Sequence, residues 1–222
     1  MGKPMILHVL ENAQRCPDLA KVVVATDHED IQRTVEDAGG EVVITLSEHQ
    51  SGTDRCLEAY NKQGEEFDAI INIQGDEPRL ESAMISELVQ VMKKPGVELG
   101  TLVKRIEKAR DILDPNRIKV TLNSDNKALY FSRSPIPFYK GLMAKEWLIS
   151  HTYYKHIGMY GYNPHALREI THMEVSSLEK AESLEQLRWL ENGMDIHCGI
   201  TRHESPAIDT PEDLQNLLAS LA

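Results

Sequence analysis

Between residues 5 and 93 short β-branched runs alternate with amphipathic stretches, and no other feature limits the possible folds of this chain so sharply. Residues 5–14 place Ile6, Leu7, Leu10 and Ala13 at helical spacing, whereas residues 21–26 are Val-rich and read as a strand. Asp27 offers an N-cap to a helix over 29–38, which Gly39-Gly40 ends. A strand over 41–45, a helix over 53–62, a strand over 68–73 and a helix over 82–93 complete the series. Strands joined through helices re-enter a sheet in the same direction. The series therefore predicts an α/β fold with a mainly parallel sheet and helices on both sides.

Past Gly96 the pattern changes. Residues 99–106, 117–122 and 128–132 read as strands, with Asn123-Ser124-Asp125-Asn126 as a hairpin turn between the last two. Residues 135–154, rich in Pro and aromatics, show no period and read as an excursion from the core. A strand over 156–162, helices over 164–171 and 178–191, and a strand over 195–201 follow. Asp209-Thr210-Pro211-Glu212 opens a last helix, with Pro at its first turn. A chain of 222 residues can bury a full core, so one domain over 1–222 is expected.

A net charge of -11 argues against a nucleic-acid partner, because binding to a phosphate backbone needs a basic footprint. No apolar run approaches the roughly 20 residues of a membrane span, and no signal-peptide pattern is present. Cys16, Cys56 and Cys198 are odd in number and lack metal-ligand spacing, which fits thiols in a reducing, cytoplasmic setting.

The chemistry concentrates in residues 70–78, where a β-branched run breaks at Gly75 and Asp76 and Glu77 follow before Pro78. A carboxylate just past the carboxyl end of a strand stands where α/β sheets bind ligands, and it suits a divalent metal set against phosphate oxygens. The same residues also suit a plain strand-end turn with its acids in water. From this segment alone the two readings balance.

Five groups of residues together resemble one family, the 3-deoxy-manno-octulosonate (Kdo) cytidylyltransferases. They are 25–27 with 49–55 (His-Gln-Ser-Gly-Thr-Asp-Arg), 74–78 (Gln-Gly-Asp-Glu-Pro), 130–137 (Tyr-Phe-Ser-Arg-Ser-Pro-Ile-Pro), 156–162 (His-Ile-Gly-Met-Tyr-Gly-Tyr), and 184–188 with 208–214. The likeness implies a nucleotidyltransferase fold of GT-A, Rossmann-like kind: three layers, a mixed and mainly parallel sheet, and a small excursion for dimerisation. It implies transfer of CMP from CTP to the anomeric hydroxyl of Kdo, giving CMP-Kdo and pyrophosphate for lipopolysaccharide assembly, with Mg²⁺ as cofactor and a homodimer as the working form.

By the same likeness Asp76 and Asp209 hold the metal, although Asp209 also reads as an ordinary N-cap. Ser51, Gly52, Thr53, Arg55 and Gln74 fall on the nucleotide side; Ser51 and Thr53 equally suit a helix cap. Arg133, His156, Tyr160, Glu185 and Gln186 fall on the sugar side. An Arg fork matches a sugar carboxylate, yet an Arg at a strand end is usually solvated. A His at such a place is more often a satisfied core residue, and Glu185 and Gln186 would ordinarily be surface groups of a helix. The family's first strand and its phosphate-cradling loop have no counterpart here. Gly2-Lys3-Pro4 matches the tripeptide that opens the helix after that loop, so Lys3 is a poor candidate for the phosphate lysine. Either Met1 is an internal start or the chain is shortened, and without the cradle feeble turnover is expected. Two other functions stay open at this point: the same transfer to another acid sugar, and a remnant that folds and dimerises without turnover. No nucleophile elbow, HExxH or GxGxxG pattern supports a hydrolase or dehydrogenase.

Overall fold

The computed structural model describes residues 2–204 with Ile208 and Gln215; Asp209 and the helix expected after it lie outside the described residues. In chain order the elements are α1 (Met5–Gln14), β1 (Val23–Thr26), α2 (Glu29–Asp37), β2 (Glu41–Ile44), α3 (Gly52–Gln63), β3 (Ile70–Asn72) and α4 (Ser82–Met92). Then come β4 (Leu99–Arg105), α5 (Ala109–Leu113), β5 (Lys119–Leu122), β6 (Ala128–Ser132), a 3-10 turn (Ala144–Glu146), α6 (Trp147–Ser150) and β7 (Tyr154–Tyr162). The described chain continues through α7 (Pro164–Thr171), α8 (Ser177–Glu182), α9 (Gln186–Glu191) and β8 (His197–Thr201). It forms two compact units: residues 67–71 with 87–202, and the remainder.

In the unit that begins at the N-terminus, β1 and β2 pair in parallel from Val23↔Glu41 to Thr26↔Ile44. Leu10 of α1, Val24 of β1 and Val35 of α2 form its buried cluster, flanked by Ile6, Leu7, Val22 and Val42. Burying each of these three side chains contributes about 1.5–3 kcal/mol. Gly40 is tied to this packing, because a Cβ there would lie 2.7 Å from Leu10 Cδ2 and 2.7 Å from Val35 Cγ1. The cap of α2 differs from expectation. His28 is the N-cap and its Nδ1 accepts from the Asp30 amide at 3.2 Å, while Asp27 pairs with Arg55.

The other unit holds a mixed sheet in the order β6-β5-β7-β4-β8, with β3 also paired to β7. The mixed sheet is as expected, but the expected parallel majority is not found in this unit. β4–β7, β5–β6 and β5–β7 are antiparallel, against β4–β8 in parallel. For β5–β6 the reason lies in the connection at 123–126: Asn126 adopts φ 58° and the Asn123 amide donates to Lys127 O at 2.9 Å. A hairpin that short can only return the chain antiparallel. Three glycines let α4 lie close on this sheet. A Cβ on Gly100 would stand 2.9 Å from Met92 Sδ, one on Gly161 2.7 Å from Met92 Cγ, and one on Gly199 2.8 Å from Val91 Cγ2.

The single helix expected over 178–191 is two helices, α8 and α9, separated at Ser183 with φ 52° and ψ 52°. Arg188 grips Glu179 through Nη2–Oε1 at 2.6 Å and Nε–Oε2 at 2.7 Å, nine residues apart. An unbroken helix would put those two residues roughly 13.5 Å apart along its axis, so the ion pair requires the break. Trp147 and Tyr153 of the excursion over 135–154 pack with Ile106 and Ile112 in a small separate cluster. Trp147 and Tyr153 stack with centroids 5.9 Å apart, Trp147 Nε1 donates to Leu142 O at 3.0 Å, and Tyr153 Oη donates to Pro137 O at 2.8 Å. Phe138 and Ile149 are left 74% and 86% exposed. Among the described residues no helix is long and apolar enough to cross a membrane.

Candidate active site

The residues expected to face the nucleotide gather around the start of α3. Ser51 is its N-cap: Oγ accepts from the Asp54 amide at 3.1 Å and donates to Asp54 Oδ2 at 2.9 Å. Gly52 follows against the segment beyond β3, where a Cβ would meet Gln74 Nε2 at 3.3 Å and Asn72 Nδ2 at 3.7 Å. Thr53 is buried in the first turn. Arg55 donates through Nη1 to Thr45 Oγ1 at 2.5 Å and pairs with Asp27 Oδ1 at 3.3 Å, so it stiffens the end of β1 and the segment after β2.

The loop from Leu46 to Ser51 is pinned by a residue that sequence reasoning missed. Glu58 accepts from Lys62 Nζ at 2.6 Å and from the Leu46 amide at 2.9 Å, and it pairs with His49 Nε2. Lys62 first, then the Leu46 amide and His49, hold its carboxyl down at about 2. The Glu58–Lys62 spacing of four was a visible signal; its reach back to Leu46 and His49 was not.

Asp76 is half-buried, with Oδ1 shielded from solvent. The Ile208 amide donates to the Asp76 carbonyl oxygen at 2.9 Å. Ile208 immediately precedes Asp209 in the sequence. Glu77 is buried, and Lys3 pairs with Glu11 at 2.6 Å.

Within the second unit His156 and Tyr160 of β7 share a face, ring centroids 5.1 Å apart, and Phe131 meets His156 edge-on at 5.2 Å. Burial pushes the His156 pKa down to about 3, so the ring is neutral. Its tautomer follows from Thr101, whose single hydroxyl proton goes to Met159 O at 2.8 Å or Ile157 O at 3.3 Å. Thr101 Oγ1 must then accept from His156 Nε2–H at 3.0 Å, which leaves Nδ1 as an acceptor. Tyr160 is buried against Trp189, centroids 4.8 Å apart; its hydroxyl has no partner among the described residues. Burial, reinforced by Tyr162 and Glu185, holds that hydroxyl protonated, and Gln186 is buried.

Arg133 stands apart from this cluster in its bonding. Nε donates to Glu182 O at 2.7 Å, Nη2 to Ser183 O at 3.3 Å and Nη1 to Pro115 O at 3.3 Å. Three of its five donors thus hold main-chain carbonyls, a structural use that sequence reasoning did not anticipate.

A capped Ser-Gly-Thr turn with Gln74 set against it, two residues before Asp76 on an α/β frame, suits a nucleotidyltransferase. The profile of the family described as Cytidylyltransferase matches residues 1–196, and the chain belongs to that family. A 3-deoxy-manno-octulosonate cytidylyltransferase of Parabacteroides distasonis is 50% identical over 225 residues, covering 100% of this chain and 89% of the relative. One from Cytophaga hutchinsonii is 50% identical over 214 residues, covering 96% of this chain and 85% of its own. Among solved structures, a CMP:2-keto-3-deoxy-manno-octonic acid synthetase complexed with CTP is similar at a TM-score of 0.91 and 37% identity. That match covers 100% of this chain and 88% of the other.

Proposed function

We propose that this cytidylyltransferase moves CMP from CTP to the anomeric hydroxyl of Kdo, releasing pyrophosphate, with Asp76 and Asp209 as the carboxylates of a Mg²⁺ site. The observation that carries the metal assignment is the Ile208–Asp76 hydrogen bond, which ties the residue before Asp209 to the Asp76 backbone at 2.9 Å. The donor set suits the ion: Mg²⁺ takes hard oxygen ligands and needs only one or two carboxylates beside phosphate oxygens and water. A divalent ion held there supplies positive charge against the triphosphate, lowering the repulsion between two anionic substrates.

The protein's own groups do the rest. Ser51, Gly52, Thr53 and Gln74 offer hydroxyls, a close backbone and an amide to the nucleotide, while Arg55 keeps their loop in place. On the sugar side His156 presents an acceptor at Nδ1 and Tyr160 a protonated hydroxyl, two complementary partners for sugar hydroxyls. Glu185 and Gln186 add further polar contacts, and Arg133 keeps two donors for the sugar carboxylate. Exposed Phe138, Met143 and Ile149 on the excursion are the surface for a homodimer. The three free cysteines fit a cytoplasmic enzyme. Transfer to a different acid sugar is not favoured, since both relatives carry Kdo in their names.

The test is Asp76→Asn, with pyrophosphate release from CTP, Kdo and Mg²⁺ expressed relative to the unmutated chain. A loss of at least about 100-fold, the scale of one electrostatic stabiliser, is expected with an unchanged circular dichroism spectrum. Retained turnover in the variant overturns the assignment.

A further inference from the structure

Glu182 is half-buried at the end of α8, and the function proposed above gives it no role of its own. Its Oε1 accepts from Ser132 Oγ at 2.6 Å and its Oε2 from the Arg133 amide at 2.9 Å. Its own carbonyl oxygen accepts from Arg133 Nε at 2.7 Å, and the next carbonyl, Ser183 O, accepts from Arg133 Nη2 at 3.3 Å. The last residue of β6 and the one after it are thereby bonded to both ends of Glu182. Arg133 is itself held from behind, because the fully buried Lys119 donates to Arg133 O at 2.6 Å and to Asp114 O at 2.7 Å. Ser132 Oγ also accepts from the Ser134 amide at 2.9 Å, so the hydroxyl is fixed in its role as donor to Glu182.

What this lattice of bonds holds is a strained turn. Ser183 is one of two non-glycine residues with positive φ among the described residues. A side chain in that conformation is costly unless its surroundings impose it. Immediately beyond it the chain restarts as α9, whose entry carries Glu185 and Gln186. The direction in which those two side chains leave the backbone is set by the angle of the break.

We propose that Glu182 is a positioning residue for the acid sugar: it fixes the turn at Ser183 and thereby the placement of Glu185 and Gln186. The inference rests on the reading that these two residues contact the sugar. Glu182 touches no substrate in this scheme, and its influence is selective for the sugar over the nucleotide. Burial of Lys119, which lowers its pKa, marks the same junction as a low-dielectric one in which the loss of a charged acceptor is felt strongly.

Steady-state kinetics on Glu182→Gln, Ser132→Ala, the double variant and Gln186→Ala test this. Glu182→Gln keeps the side chain's shape but turns one acceptor into a donor. It should raise KM for Kdo about tenfold, as expected for a lost charge-assisted hydrogen bond, with KM for CTP and kcat changed by less than about threefold. Ser132→Ala should give a smaller rise of the same kind, and the double variant should add little to Glu182→Gln, because both act through one contact. Unchanged KM for Kdo in Glu182→Gln and Ser132→Ala, while Gln186→Ala raises it, overturns the positioning role alone. A parallel loss in kcat and both KM values together with a lower melting temperature also overturns it, showing a merely structural carboxylate. If Gln186→Ala leaves KM for Kdo unchanged, the sugar-side reading itself fails and the inference falls with it.

Discussion

Substituting Gly52 by Ala separates stability from nucleotide binding at a single methyl group. Gly52 occupies the first position of α3 with Ser51 as cap, and its φ is not in the left-handed region, so Ala can adopt the same backbone. Such a change gains about 0.4–1 kcal/mol by restricting the unfolded chain. Against that, the added Cβ would stand 3.3 Å from Gln74 Nε2 and 3.7 Å from Asn72 Nδ2. The closer atom is the tip of a flexible side chain, which can retreat a few tenths of an ångström at a cost of about 1 kcal/mol or less, below the usual overpacking range. The two effects nearly cancel, leaving stability within about 0.5 kcal/mol, or about 2 °C in melting temperature for a chain of this size. Function should respond differently, because the retreating amide belongs to Gln74, a proposed nucleotide contact. One displaced hydrogen bond is worth about 0.5–1.5 kcal/mol, which is roughly a two- to tenfold weakening of CTP binding. Calorimetric titration with CTP and Mg²⁺ beside a thermal melt gives both numbers. Undiminished CTP affinity would refute the placement of the nucleotide at this loop, and a fall of more than about 5 °C would refute the packing estimate.

Two further outcomes follow from the second unit. His156 has a folded pKa of about 3, below its ordinary 6.5, so the unfolded chain takes up a proton that the folded chain refuses. Stability should therefore decline as pH falls from about 6.5 towards 3, by up to about 1.4 kcal/mol per unit; urea midpoints should show a shallower decline in His156→Asn, and identical slopes would refute it. Gly199→Ala should cost about 1–3 kcal/mol by overpacking, since its Cβ would lie 2.8 Å from Leu102 Cδ2 and 2.8 Å from the stiff Val91 Cγ2. Adding Val91→Ala should restore part of that loss in a urea melt, and an unchanged midpoint for Gly199→Ala would refute the close approach.

Local signals in the sequence survived folding where no distant partner competed for them. α1, β6 and α7 stand at their expected residues because hydrophobic spacing, a hairpin turn and the Asn163-Pro164 start are all decided within a few residues. Asp27 was not the cap of α2 because Arg55, far along the chain, claims its carboxylate and leaves the adjacent His28 to the helix. Ser183 breaks a well-patterned helix because Glu179 and Arg188 meet only if it bends, and nothing in amphipathic periodicity encodes that pair. Gly100, Gly161 and Gly199 were a readable sign of close backbone approach inside strands, but which element approaches depends on strand order. Asp76 could be proposed from the sequence because its meaning is positional, a carboxylate past a strand end. Glu58 and Glu182 were not, since each is defined by what it holds.

The two units share a property that bears on how an acidic chain handles two anions. Several cations in the two units are already engaged. Arg55 faces Asp27 at 3.3 Å, Lys3 faces Glu11 at 2.6 Å and Lys62 faces Glu58 at 2.6 Å. Arg188 is bound to Glu179 at 2.6 Å, and Lys119 and Arg133 donate to main-chain carbonyls. Such side chains stiffen the segments they join, and the charges of Arg55, Lys3, Lys62 and Arg188 are answered by carboxylates within the protein. With a net charge of -11 the surrounding field also repels a triphosphate. Positive charge arriving with the substrate would offset that repulsion. The divalent ion proposed above, if held by Asp76, would supply such charge, and the acidity of that segment would then serve nucleotide binding rather than oppose it.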